Sequence, residues 1–136
     1  MFRLAEWPAA KLVLALCLGV SPAASGATLE VIGVGLGEYS VPMLTDSGQG
    51  LTPSNAFAGQ IQIEINDSPY VAYCIDLYTS ISLQTYNSVF GTPLDFQNGV
   101  RAAWLMENYA ASVATAAEAA ALQLALWDIE IGRAHV

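Results

Sequence analysis

Gln60-Ile61-Gln62-Ile63-Glu64-Ile65, followed by Asn66-Asp67-Ser68-Pro69, decides how the chain folds. Three isoleucines alternate with three polar residues, the period of a strand with one buried face. The next four residues are turn formers. Residues 70–77 then read as a second strand, so this region predicts an antiparallel β-hairpin.

Working toward the N-terminus, residues 28–34 read as a short strand and residues 39–44 as another. Between them Gly33, Gly35 and Gly37 make G-x-G-x-G. No helix follows, so a nucleotide loop is disfavoured and a bulged or flexible strand end is expected. Residues 45–50 and 52–55 carry loop chemistry.

Toward the C-terminus, short extended segments are expected over residues 79–90. Thr92-Pro93-Leu94-Asp95 then opens a helix reaching about Tyr109, with Gly99 weakening its first turns by about 1 kcal/mol relative to Ala. Ala102, Ala103, Leu105, Met106 and Tyr109 are available for its packing. A second helix starts at Thr115, where Thr115-Ala116-Ala117-Glu118 fits a capping box. Leu122, Leu126 and Ile129 share one face of it. Strands followed by helices predict an α+β domain: an antiparallel β-sandwich or barrel-like sheet with two inserted helices.

Both ends of the chain read differently. Arg3 and Lys11, the apolar run of residues 12–20 and the small residues up to Ala27 form an export signal, residues 1–27, too short in its apolar part to span a bilayer. An amphipathic first helix is the alternative. Residues 130–136 resemble a translated sequencing adapter, and the second helix ends without a capping signal. The expectation is a single domain over 28–129 whose last strands lie further along the natural chain.

The whole chain has 12 acidic residues, 4 basic ones and one His. Within residues 28–129 only Arg101 is basic, against ten acidic residues, and there is no Lys and no His. Nucleic acid and anionic membrane surfaces are therefore poor partners. Ser-His-Asp and Cys-His catalysis, His-ligated metals, Schiff-base lysines and Walker loops are excluded from this stretch. No metal or cofactor is expected. Cys74 is the one Cys between residues 28 and 129, unusual for an exported protein, which ordinarily pairs its cysteines.

Two short stretches carry the remaining chemistry: Tyr73-Cys74-Ile75-Asp76-Leu77, late in the hairpin, and Gln123-Leu124-Ala125-Leu126-Trp127, in the second helix. Gln123 lies among apolar helix residues and, if buried, must find a partner or cost about 1–3 kcal/mol. Taken singly, Cys74 reads as a small buried hydrophobe and Gln123 as a helix residue facing solvent or a hydrogen bond.

Together these stretches resemble the thioester domains of bacterial surface proteins. In that family an early Cys follows an aromatic residue on a strand, and a later helix carries Gln-x-Ala, often with Trp two residues on. Arg101-Ala102-Ala103-Trp104-Leu105 is similar to the family's first helix. Leu122 departs from the pattern, since many members have Thr before the Gln.

The resemblance implies an internal thioester between Cys74 and Gln123, formed with loss of ammonia. The stored acyl group would pass once, without turnover, to an amine or hydroxyl of a protein or polysaccharide on another surface. Tyr73 or backbone N–H groups would supply oxyanion donors, and Asp76 either moves protons or is a solvated strand-end carboxylate. Trp127 either screens the bond from water or simply fills the core, with Trp104 and Tyr73 as weaker screens. Ala125 completes the motif. The absence of Lys suits a chain that must not quench its own thioester. The competing expectation is a non-covalent structural or binding module of the cell surface or matrix. A recycling hydrolase built on Cys74 lacks a His base.

Overall fold

A computed structural model describes residues 13–16, 27–46, 51–75, 81–88, 91–95 and 97–131. Its strands are β1 (Val13–Leu16), β2 (Ala27–Asp46), β3 (Leu51–Ile65), β4 (Ser68–Cys74) and β5 (Thr85–Ser88). Its helices are α1 (Gly99–Tyr109) and α2 (Ala116–Ile131). The strands form one sheet in the order β1-β4-β3-β2-β5. β2 to β5 pair antiparallel, and β1, inside the apolar run read as an export signal, runs parallel to β4. The architecture is α+β, and among the described residues the sheet is open rather than closed into a barrel.

The hairpin is as the isoleucine alternation predicts. Ile65 pairs with Ser68 and Ile61 with Ala72. The two turn residues, Asn66 and Asp67, have φ of 50° and 64°, the left-handed pair of a type I′ turn. Ile61, Ile63 and Ile65 bury their side chains with Leu29, Val31, Ala72 and Cys74 on one face of the sheet. Tyr73, one residue out of phase, projects to the other face, where it packs with Ala102 and Met106 of α1 and Leu122 and Leu126 of α2.

The two short strands expected over 28–34 and 39–44 are one strand, and residues 52–55, expected in a loop, are strand as well. Eighteen residues of β2, Leu29 to Asp46, lie against fifteen of β3, and the three extra are absorbed at three register shifts. Each shift is a bulge that bends and twists β2. The glycine run is therefore a bulged strand interior and not a strand end. Gly37 is required by close approach, because a Cβ there would come within 2.5 Å of the Ala58 carbonyl oxygen and 2.8 Å of Gly59 Cα.

α1 begins at Gly99 and not at Thr92. Asp95 accepts a hydrogen bond from Thr92 N–H and closes a short 3-10 turn over Pro93–Asp95. Asn98, at φ 57°, then turns the chain into α1. Its side chain donates to the Ile129 carbonyl at 2.9 Å, tying the start of α1 to the end of α2. The capping box of α2 is present. Thr115 Oγ1 accepts from Glu118 N–H at 3.2 Å, and Glu118 accepts from Thr115 N–H at 3.0 Å. Ala119 and Ala120 are buried, small enough to bring α2 close to the sheet.

Candidate functional site

Two features of the hairpin bear on Cys74. A two-residue turn makes Ile65 and Ser68 a hydrogen-bonded pair, and every second pair after it is hydrogen-bonded too. Continuing that alternation would set Cys74 opposite Gly59, with its main-chain groups directed at β3. The pairing stops earlier, at Ile61 and Ala72. At Gly59, opposite Gly37, β3 remains paired with β2. Beyond the Ile61–Ala72 pair the main chain of Cys74 meets α2.

Gln123 of α2 makes this contact. Cys74 N–H donates to Gln123 Oε1 at 3.0 Å, and Gln123 Nε2 donates to the Cys74 carbonyl. The two residues are 49 positions apart in sequence. A backbone N–H can only donate and a C=O only accept, so this contact fixes which end of the carboxamide faces which. Gln123 is 1% exposed and Cys74 8%. The amide that had to find a partner in an apolar helix finds two.

The Cys74 side chain itself projects to the face opposite α2, where it is buried with Ile61, Ile63 and Leu29.

The other candidate residues are distributed around this contact. Tyr73 is fully buried on the α2 side, its ring against Leu122 and Leu126. Burial pushes its hydroxyl pKa above the ordinary tyrosine value, and the Gln60 side chain, which approaches it, offsets part of that. The approach does not close a hydrogen bond of good geometry, so the hydroxyl is an unsatisfied buried group. Trp127, one turn after Gln123, is buried against Ala58 and Ala120, and its indole N–H also lacks a partner. It packs beside the Cys74 cluster and not within it. Ala125 is half-buried. Trp104 is 55% exposed, edge-on to Tyr109 at 6.0 Å, and so does not screen the site. Asp76 lies outside the described residues.

Gln60 is a buried polar residue that sequence reading placed on the solvated face of β3. Period two distinguishes the faces of a strand but not which of them a helix covers. α2 covers the polar face here, burying Gln60 while Gln62 stays exposed. Among the described residues no cluster of three or more His, Cys, Asp or Glu could hold a metal, and no helix is long and apolar enough to cross a membrane. Comparison with protein-family models, curated proteins and solved structures gives no match.

Proposed function

We propose that this chain is an exported surface domain that forms an internal thioester between Cys74 and Gln123 and uses it for covalent attachment. The observation that carries the reading is the two-point contact between the Gln123 carboxamide and the main chain of Cys74.

The chemistry balances as follows. The Cys74 sulfur bonds to the Gln123 side-chain carbon, the carbon–nitrogen bond breaks, and the thiol proton leaves with the nitrogen as ammonia. An amide is a poor electrophile, so the fold must help. Proximity of well-oriented groups supplies about 7–11 kcal/mol. One preorganised oxyanion donor, the Cys74 N–H, supplies about 3–4 kcal/mol more. The Cys74 carbonyl holds the nitrogen that departs. In the second step an external amine or hydroxyl adds to the same carbon, the carbon–sulfur bond breaks, and the proton of the nucleophile returns to sulfur. The product is an amide or ester through Gln123. This is a single event per molecule, with no turnover.

Burial supports a long-lived acyl donor, because water is the competing nucleophile. Of the pair, Cys74 is the more exposed, at 8% against 1%, so approach of the nucleophile from the Cys74 side belongs to the proposal. Within residues 28–129 a single Arg and no Lys leave no side-chain amine to consume the thioester. Export would remove residues 1–27, β1 with them, and leave β4 as a sheet edge. Closure of the open sheet into a sandwich or barrel belongs to this proposal as well.

The same contact also suits a second reading, a non-covalent module in which Gln123 serves as a structural tie. A fluorescent primary amine separates the two. Incorporation into native protein, mapped to Gln123 and absent from Cys74→Ala, is expected of the thioester. A native protein that incorporates none, with Cys74 alkylated in full, overturns it.

A further inference from the structure

The bulge in β2 and the end of the β3–β4 pairing meet at the same residue of β3. Val34 pairs with Ile61 and Gly37 with Gly59, so Gly35 and Leu36 together oppose Gln60. The Leu36 N–H donates at 3.3 Å to Gln60 Oε1. Gly35 makes this possible: a Cβ there would lie 3.0 Å from Gln60 Oε1 and 3.1 Å from Gln60 Cβ. On its other side Gln60 approaches the hydroxyl of Tyr73, the residue before Cys74. Gln60 is 5% exposed, and with Gln123 it makes up the buried polar residues of the described chain apart from the tyrosine and tryptophan.

We propose that Gln60 is a positioning residue for the Cys74–Gln123 pair. By tying β3 to the bulge of β2 on one side and bearing on Tyr73 on the other, it fixes the point at which β3 leaves β4. That point sets the width of the slot Gln123 fills. Its chemical consequence rests on the thioester reading; the contact it positions does not.

The test therefore has two parts. In full-length Cys74→Ala, where no thioester can form, amide hydrogen exchange at position 74 reports the bond to Gln123. Adding Gln60→Leu is expected to speed exchange there about tenfold, since one hydrogen bond is loosened, while Val31 and Ile63 keep their protection. Gln60→Glu keeps the acceptor for Leu36 and is expected to restore most of it. Where Gln60→Leu does not fold, Gly35→Ala, which pushes the carboxamide off Leu36, is expected to act the same way. Unchanged protection at position 74 in the folded variants overturns the proposal. In the chain that keeps Cys74, Gln60→Leu is expected to slow ammonia loss, followed by mass. Absence of ammonia loss from the unmutated chain counts against the thioester alone, since the exchange result still decides the role of Gln60.

Discussion

The main-chain N–H of Cys74 donates to the side-chain oxygen of Gln123 at 3.0 Å, and the Gln123 nitrogen returns a bond to the Cys74 carbonyl. A helix side chain thus completes a sheet at the position where one strand departs from its neighbour. The stability expected of the chain and the chemistry proposed for it both rest on that contact.

Removing the carboxamide should be costly even without a thioester. In a Cys74→Ala background, Gln123→Ala removes both hydrogen bonds between its carboxamide and the main chain of residue 74. A loss of about 2–4 kcal/mol in unfolding free energy is expected by denaturant titration. A loss below about 0.5 kcal/mol, the range of neutral surface changes, would mean the two bonds contribute nothing.

Tyr73 should ionise above the ordinary tyrosine range. Its folded-state pKa is raised by burial above the unfolded value of 10.0. Above pH 10 the unfolded chain then binds fewer protons than the folded one, so stability falls as pH rises through that range. Ultraviolet titration of Cys74→Ala is expected to show a late tyrosine step, lost in Tyr73→Phe. Absence of that step would contradict the burial.

The glycines of β2 should differ in their tolerance of Ala. At Gly37 a methyl group meets fixed backbone, so Gly37→Ala is expected to cost about 1–3 kcal/mol or more. At Gly33 the nearest atom is the mobile Gln62 Oε1 at 3.3 Å, and Gly33→Ala should be close to neutral. Thermal unfolding of the two variants decides it.

The α2 cap should be sensitive to acid. Hydrogen bonds from Ala114 and Thr115 N–H hold the Glu118 carboxyl below its ordinary pKa. Its contribution is present above the unfolded value and is lost as pH falls through the folded one. Thr115→Ala is expected to cost about 1 kcal/mol. Glu118→Gln should flatten the acid limb of the stability curve, which a pH series of denaturant titrations would read.

Much of this fold is legible in short-range patterns. The alternation of Ile61, Ile63 and Ile65 specifies the hairpin, and Thr115 with Glu118 specifies where α2 starts. The pair Cys74 and Gln123 is legible as two unusual residues in apolar settings, one on a strand and one on a helix. What sequence could not show is the length of β2. Bulges interrupt its periodicity three times, so it reads as two short strands with a glycine run between them. Gln60 was hidden for a related reason, because its burial depends on where α2 lies and not on its own neighbours. α1 starts later than its sequence predicts because Asp95 diverts Thr92 into a closed turn, a bond that competes locally with helix initiation.

Thioester formation is tested most directly by the intact mass of the full-length, natively purified chain. The expected mass is lower by one ammonia than that of the same chain, with the same N-terminus, without the bond. Methylamine should raise it by one methylamine, and Cys74→Ala should carry the unmodified mass throughout. A chain that folds, keeps position 74 protected from exchange and yet shows the full unmodified mass would contradict it.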